Sequence, residues 1–384
     1  MTTHPLPLYD RSRVVEDWNC PRARFWHYEF GGRGLTRSTT AIELYLGITV
    51  HDAVAAIATL TSFKEAISID AIAGAAYSQI RQSLEEPDEG PNPDDDYIEE
   101  QAVLAEGLVR GFYKHVWPRL MESYPEILFV EKEMTYPHDL KGQHSPDQPD
   151  LLFMSKPDLI LTDGQGEAVY FEYKTTSSKK EDWINSWDTA VQLHSTIRAV
   201  KATTGVDISN VIVQGLYKGY RAYNKQSSPF CYAYFKRGNP PFSSDQISYE
   251  FKAGFKRTPV WELDGGIKQW VEDMPDQILT EQFPQTPPIF INDSLVDSFF
   301  RQRAKREYEI ATASALLKDD LDQDLLDRVF PQRFDKCQPG WGSPCQFRTL
   351  CHGYVEDPLS EGYQFRESHH QLEAERHTNE DTHS

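Results

Sequence analysis

Residues 151–174, LLFMSKPDLILTDGQGEAVYFEYK, contain two apolar runs separated by a polar turn. We interpret the runs as strands, because Pro, Gly and Asp bound them. Glu172 and Lys174 flank a single residue, so the two-residue alternation of a strand places both side chains on one face. The turn at 163–166 folds the second strand back on the first, and we expect it to bring Asp158 near Glu172.

Two carboxylates that meet at this point indicate a divalent-metal site. Asp158 and Glu172 offer the oxygen ligands that Mg²⁺ and Mn²⁺ prefer. Lys174 would orient or polarise the attacking water, while the metal stabilises charge on a scissile phosphate. The alternative is a solvated strand face with an incidental Glu–Lys pair, because the pattern Asp-x(n)-Glu-x-Lys is weak when taken alone.

The order of elements along the chain predicts an α/β or α+β fold with a strand meander flanked by helices. Helical periodicity is followed by strand periodicity and then by helices again. The predicted helices are 39–61, 66–84, 97–123, 181–203, 262–282 and 293–326, after a helix-like run at 8–30. The predicted strands are 126–136, 151–162, 167–174, 210–217 and 229–237.

The formal net charge of −20 opposes nucleic-acid binding by the chain as a whole, but the charge is unevenly distributed. Acidic residues concentrate in 85–96, a predicted loop, and in 356–384, a predicted disordered acidic tail. The stretch 215–260 is basic and rich in aromatic residues, as in a single-strand DNA track. A pair of amphipathic strands with solvated lysines explains it equally well. The candidate nucleic-acid-binding residues are Lys218, Arg221, Lys225, Lys236 and Arg237.

Five cysteines in a chain without a visible secretory signal argue against a disulfide framework and predict a reducing, cytoplasmic setting. No membrane partner is expected, because no stretch reads as a membrane span. Four of these thiols could bind a 4Fe–4S cluster or, alternatively, one zinc ion: Cys20, Cys337, Cys345 and Cys351. The absence of tight C-x2-C pairs favours the cluster. Cys231 is left as a buried free thiol.

Two further residues are informative only in combination with Asp158, Glu172 and Lys174. His51 lies in an apolar helical segment, where a lone histidine is usually structural, and Gln192 lies in the helix after the Glu-x-Lys strand. Taken in their order along the chain, these five residues resemble the motifs of the RecB-like branch of the PD-(D/E)XK nuclease superfamily. The resemblance covers roughly residues 15–355. The closer match is the iron–sulfur subset, which includes CRISPR-associated exonucleases, AddB-type nuclease domains and many phage proteins.

The resemblance implies a site made of His51, Asp158, Glu172, Lys174 and Gln192, with His51, Asp158 and Glu172 as ligands of Mg²⁺ or Mn²⁺. Glu131 resembles a further acidic position of some members. The last family motif is Gln-x-x-x-Tyr, but this chain has Thr196 at the tyrosine position. The family's pattern of one cysteine before the nuclease core and three after it matches Cys20, Cys337, Cys345 and Cys351.

The resemblance also implies a restriction-endonuclease-like mixed sheet in a single nuclease domain, 1–355. Its parts would be a helical segment 8–123, a core 124–260 and a helical, cysteine-rich segment 261–355, with the cysteine site joining the two ends. The implied function is a metal-dependent DNA exonuclease acting on ends or single strands in replication, recombination or repair, in the cytoplasm of a bacterium or phage-infected cell. The alternative is a catalytically weak DNA-binding adaptor that works with a helicase or recombinase; no Walker motif is present, so unwinding would need such a partner.

Overall fold

The structure is a computed structural model of the 384-residue chain. It describes residues 8–37, 42–85, 94–138, 151–178, 180–187, 190–219, 228–236, 247–249, 252–318, 321–337, 344–353, 357–368, 370–371 and 373–375. These residues form helices packed around a mixed sheet, which confirms the predicted fold class.

The N-terminal segment alternates short elements that are separated by sharp breaks. They are strand β1 (Leu8–Asp10), helices α1 (Arg11–Asn19) and α2 (Pro21–Arg24), helical turns at Phe25–Glu29 and Phe30–Gly32, and strand β2 (Leu35–Arg37). The Asp10 carboxylate caps α1 by accepting the Arg13 N–H at 2.9 Å. Cys20 is extended, and Pro21 starts the next helix, where its missing N–H is not needed.

A layer of four helices follows: α3 (Ile42–Ser62), α4 (Ile69–Glu85), α5 (Asp95–Gly111) and α6 (Trp117–Ser123). A π-helical turn, Phe112–Val116, joins α5 to α6. Close packing fixes α5 in place, since a Cβ added at Gly107 would lie 2.7 Å from the Cβ of Phe230. The layer buries its apolar side chains against one face of the central sheet.

Helix α3 contains a stretch, Leu44–Ser62, that is long and apolar enough to cross a membrane, judged by length and composition alone. The sequence analysis identified no such stretch. Leu46, Val50, Val54 and Ile57 of this helix are buried in the core that also contains α4 and α5. These contacts are those of a core helix.

The central sheet has the strand order β12–β8–β7–β6–β3. Its strands are β3 (Glu126–Val130), β6 (Leu159–Thr162), β7 (Ala168–Thr176), β8 (Ile208–Tyr217) and β12 (Ile289–Phe290). β6 and β7 are antiparallel with Leu159 opposite Phe171, and β7 and β8 are parallel with Glu172 opposite Val213. The predicted hairpin between β6 and β7 is therefore present.

Two three-stranded sheets accompany the central one. Besides β1 they contain β4 (Met134–His138), β5 (Leu151–Ser155), β9 (Tyr232–Lys236), β10 (Ile247–Ser248) and β11 (Phe255–Pro259). Their strand orders are β1–β5–β4 and β10–β9–β11. The strands predicted at 126–136 and 151–162 are thus each divided between two sheets. The second division falls at Pro157, which lacks the N–H that a continuous ladder needs.

The predicted helix 181–203 is two helices, α7 (Lys180–Asn185) and α8 (Val191–Thr204), and α8 leads back to the parallel strand β8. The C-terminal helices are α9 (Gly266–Asp273), α10 (Asp276–Gln282), α11 (Asp293–Leu317), α12 (Gln323–Val329), α13 (Phe334–Cys337) and α14 (Arg348–Cys351). Helix α11 packs on α8 at its start and on the N-terminal segment further along.

Buried ion pairs join α11 to the N-terminal helices. Arg24 binds Glu307 with an Nη2–Oε2 distance of 2.7 Å, and Arg303 binds Asp17 with an Nη1–Oδ2 distance of 2.9 Å. All four side chains are buried. Removing one partner would leave an uncompensated buried charge, so these pairs hold the two ends of the chain in a defined arrangement.

The segment predicted as a disordered tail is ordered where the structure describes it. Strand β13 (Tyr363–Phe365) pairs with β2, and the buried Arg366 binds Glu373, which also binds Arg13. Glu373 of this acidic segment is thus neutralised by the nearby Arg366 and by Arg13 of the N-terminal segment, a contact that local composition does not reveal. Residues 376–384 lie outside the described part.

His370 makes this C-terminal contact sensitive to pH. Its ring faces Asp10 at 3.5 Å, Glu133 at 3.3 Å and the guanidinium of Arg13. Burial lowers the pKa of His370, but the two carboxylates outweigh that effect and the net shift is upward. The contribution of His370 to stability is therefore complete below its unfolded pKa and is lost as pH rises through its folded pKa.

We predict that His370→Gln lowers the free energy of unfolding by about 1 kcal/mol at pH 5.5 and has little effect at pH 9. Chemical denaturation of wild type and variant at both pH values measures the difference. Glu367→Gln, at an exposed residue of the same C-terminal segment, is the control and should have no effect at either pH. An effect of His370→Gln that grows towards pH 9 would contradict this assignment.

Candidate active site

Asp158 lies at the start of β6, where three groups fix its position. Its Oδ2 accepts the backbone N–H of Tyr173 at 2.8 Å, and its Oδ1 lies 2.9 Å from Nε2 of His51. The backbone carbonyl of Asp158 accepts the N–H of Glu131 at 3.0 Å. Asp158 is 4% exposed, so its carboxylate is held inside the fold.

Glu172 and Lys174 project from the same face of β7, as strand alternation predicts. Nζ of Lys174 lies 2.6 Å from Oε1 of Glu172 and 3.7 Å from Oδ2 of Asp158. Gln192 on α8 donates from Nε2 to Oε1 of Glu172 at 3.0 Å. The structure thus brings Asp158, Glu172, Lys174 and Gln192 together.

Tyr170 is a member of this group that the sequence analysis missed. Its buried hydroxyl donates to Oε2 of Glu172, the carboxylate oxygen that Lys174 and Gln192 leave free. Tyr170 precedes Glu172 by two residues, so the period of the strand was the available signal. An aromatic residue in an apolar strand is normally a core residue, and its hydroxyl gives no local sign of a polar partner.

The two carboxylates have opposite pKa shifts. Burial raises the pKa of Glu172 and the charge of Asp158 raises it further, beyond what the bonds from Lys174 and Tyr170 offset. Burial also acts to raise the pKa of Asp158, but Lys174, His51 and the Tyr173 N–H lower it overall. Burial lowers the pKa of Lys174, and the two carboxylates more than reverse this, so the lysine is charged.

His51 lies on α3 and faces this group from the helical layer. Its Nδ1 lies 2.8 Å from Oε1 of Glu131, and its ring packs on Tyr173 with centroids 4.6 Å apart. Burial lowers the pKa of His51, but its bonds to Asp158 and Glu131 raise it to about 10. In this arrangement His51 is an imidazolium that balances the charge of two acids.

Glu131 occupies an unusual backbone conformation beside the site. Its φ of 44° lies in the left-handed region, which costs a non-glycine residue about 1–3 kcal/mol. The chain turns here from β3 towards β4, and the side chain of Glu131 is directed at His51 and at Lys156, whose Nζ is 2.6 Å from Oε2. Lys156 was not identified as a site residue, because its partner is on another strand.

Thr196, at the tyrosine position of the family motif, has a structural contact instead. Its Oγ1 lies 2.7 Å from Oγ of Ser155, and Thr196 is 3% exposed. The pair joins α8 to the end of β5, one helical turn from Gln192. The hydroxyl at this position therefore makes a contact within the fold.

The donors around Asp158 and Glu172 suit a hard divalent cation. Oε1 of Gln192 is a buried acceptor without a hydrogen-bond partner in the described part of the chain, and it lies beside the two carboxylates. The positively charged groups beside the two carboxylates are His51 and Lys174, and among the described residues no group of three or more His, Cys, Asp or Glu side chains is positioned to hold a metal directly. Charge balance and oxygen donors nevertheless fit Mg²⁺ or Mn²⁺ at this place.

The four cysteines proposed as cluster ligands lie near one another. Cys20 is buried in the cluster of apolar residues formed by the N- and C-terminal segments, and Cys345 and Cys351 pack against it. The Cys345 N–H donates to the Cys337 carbonyl at 3.2 Å. Burial raises the pKa of Cys351 to about 12, and it raises the pKa values of Cys337 and Cys345, as do neighbouring thiols. Cys231 is buried elsewhere.

The basic and aromatic stretch 215–260 is described only in part. Four of its described aromatic side chains, Phe230, Tyr232, Tyr234 and Phe235, are buried in the core, because β9 lies between two strands and packs in the same apolar core as α5 and α9. Lys236 is exposed at the end of β9, on a different sheet from Asp158, and Lys218 follows β8. Arg221, Lys225 and Arg237 lie outside the described residues.

The model of the PD-(D/E)XK nuclease superfamily matches residues 12–352. The chain belongs to this superfamily. Its members are typically nucleases that use divalent metals such as Mg²⁺ or Mn²⁺, and a nuclease of this superfamily is expected to bind DNA. A comparison with curated proteins gave no match.

In this PD-(D/E)XK protein, burial of Glu172 beside Asp158 has a measurable cost. We predict that Glu172→Gln raises the melting temperature in EDTA by roughly 1–3 °C, because it removes a buried charge with a raised pKa. Adding Mn²⁺ should stabilise the wild type more than the variant. Thermal unfolding with and without the metal measures both effects.

The matched control is Glu167→Gln, which removes the same charge from an exposed residue at the far end of the same hairpin. It should respond to Mn²⁺ as the wild type does. A lower melting temperature for Glu172→Gln in EDTA would mean that its ion pair with Lys174 outweighs the cost of burial.

Proposed function

We propose that this protein is a metal-dependent DNA exonuclease of the RecB-like branch. One observation carries the proposal: two buried carboxylates, Asp158 and Glu172, lie side by side with Lys174 between them. Burial of like charges costs stability, so such a pair is expected where a cation is bound or chemistry is performed. Asp158, Glu172 and His51 are the proposed ligands.

Each neighbouring residue has a distinct role in this proposal. A bound Mg²⁺ or Mn²⁺ would polarise the scissile phosphate and make an attacking water more acidic. Lys174, charged and directed at both carboxylates, would orient that water or bind a phosphate oxygen. Gln192 and Tyr170 hold Glu172 in one orientation by donating to its two oxygens.

His51 supports the choice of the RecB-like branch, because it approaches Asp158 from a helix outside the sheet. Metal binding would have to displace the proton that His51 carries in this arrangement, and the neutral imidazole would then add a nitrogen ligand and favour Mn²⁺ over Mg²⁺. Action on ends or single strands, and work with a helicase or recombinase, follow from the resemblance to that branch and are part of the same proposal.

The test uses linear and covalently closed circular single-stranded DNA with Mn²⁺ or Mg²⁺. We predict that the wild type degrades only the linear DNA, and that Asp158→Asn, Glu172→Gln and Lys174→Ala each reduce the rate by about 10²–10³ or more. Circular dichroism should show that the variants remain folded. Glu167→Gln is the matched control and should retain the wild-type rate.

Three outcomes would contradict parts of this proposal. Cleavage of the circle would exclude an exclusive exonuclease, and full activity of Glu172→Gln would reject the site. DNA binding by a wild type that does not cleave would favour the adaptor function over the nuclease function.

We further propose that Cys20, Cys337, Cys345 and Cys351 bind a 4Fe–4S cluster, with zinc as the alternative occupant. The support is that thiols from both ends of the chain meet at one cluster of apolar residues. A metal there would add a covalent link to the ion pairs between Arg24 and Glu307 and between Arg303 and Asp17. Such a link would restrict the unfolded chain over a long loop.

We predict iron and labile sulfide in roughly a 4:4 ratio in anaerobically purified protein. Serine at any of the four positions should lower iron content and melting temperature together. Cys231→Ser is the control and should change neither, since Cys231 is remote from the other thiols. Stoichiometric zinc without iron would reject the cluster, and full stability of Cys20→Ser would reject the shared site.

A further inference from the structure

Arg11 lies at the edge of the candidate active site, although neither the motif nor the strand pattern includes it. It is the first residue of α1 and directly follows β1. β1 runs parallel to β5 with Asp10 opposite Met154, and β5 leads within four residues to Asp158. Arg11 therefore lies beside the segment that carries the first carboxylate.

The end of β5 also contacts α8, the helix whose Gln192 is bonded to Glu172. Ser155, the last residue of β5, is bonded to Thr196 of α8, and Gln192 one turn earlier is bonded to Glu172. This arrangement places the start of α1 on the side of the sheet where Glu172 and Tyr170 project.

The charge of Arg11 acts on the site. Desolvation lowers the pKa of Arg11 and outweighs the opposing effects of the Glu172 carboxylate and of Tyr170. Arg11 in turn acts against the upward pKa shifts of Tyr170 and Lys174. These mutual effects show that Arg11 lies close to Glu172, Tyr170 and Lys174, as the pairing of β1 with β5 also indicates.

Arg11 differs from the other arginines of its segment. Arg13, Arg22 and Arg24 are buried and each binds a carboxylate. Arg11 is exposed and makes no hydrogen bond or ion pair with the residues that the structure describes. A guanidinium close to the carboxylate of Glu172, yet not bonded to it, retains its donors for a ligand.

A phosphate is the ligand that fits these donors. The planar guanidinium can bind two phosphate oxygens at once, and a DNA strand that reaches Asp158 and Glu172 brings phosphates to this edge. We propose that Arg11 binds a phosphate of the DNA strand next to the scissile bond and so positions the substrate. This inference rests on the proposed nuclease function. The competing role is that Arg11 only offsets the charge of Glu172.

The experiment compares wild type, Arg11→Ala and Arg11→Lys with Arg119→Ala. Arg119 is also exposed and without a described ion pair, but it lies on α6, remote from α1. Fluorescence anisotropy with single-stranded DNA in EDTA, which prevents turnover, gives Kd as a function of KCl concentration. Cleavage with Mn²⁺ gives kcat and KM separately.

We expect Arg11→Ala to raise Kd and KM about tenfold while kcat changes less than threefold. The slope of log Kd against log salt should fall by about 0.7, the value for one phosphate contact on a single strand. Arg11→Lys should recover the slope but only part of the affinity, because lysine cannot bind two oxygens in one plane. Arg119→Ala should match the wild type.

The outcomes separate this inference from the function on which it rests. If the wild type cleaves DNA and Arg11→Ala leaves KM, Kd and the salt slope unchanged, Arg11 only offsets charge and the inference is rejected. If the wild type binds DNA but never cleaves it, and Arg11→Ala binds DNA more weakly than the wild type, the phosphate contact stands and the nuclease function is rejected.

Discussion

The hydrogen bond from the Tyr173 backbone N–H to Oδ2 of Asp158 is the contact on which the site depends. It forms because β6 and β7 pair with Leu159 opposite Phe171, which sets Asp158 level with Glu172 and next to the backbone N–H of Tyr173. The same register directs Glu172 towards α8. A shift by one residue would turn Glu172 towards the apolar helical layer and separate the carboxylates.

Holding Asp158 and Glu172 together requires charge compensation throughout their surroundings. Lys174 and His51 supply positive charge, and Tyr170 donates a hydrogen bond that the strand pattern did not predict. The fold therefore carries a local cost in the metal-free protein, which is common where stability and activity compete. Because the compensating groups come from two layers of the fold, the site cannot form before α3 and the sheet have packed together.

The two ends of the chain contribute to this arrangement through buried charge as well as through the cluster of apolar residues that they share. Arg24 binds Glu307 of α11, and Arg13 binds Glu373 of the C-terminal segment. These pairs fix α1, and with it the position of Arg11 beside the carboxylates. The acidic composition of the C-terminal segment predicted disorder, because composition does not reveal that Glu373 binds Arg13, which is 360 residues away in sequence.

The sequence by itself determined the fold class and placed Glu172 and Lys174 on one face, since strand alternation and turn residues are local signals. It also indicated the approach of Asp158, because a short turn leaves few alternatives. Only the tertiary structure decided which strands divide between sheets, that the hydroxyl of Tyr170 meets Glu172, and that Thr196 is buried. These features depend on contacts between residues far apart in the chain, and a local pattern carries no information about the surface that will cover it.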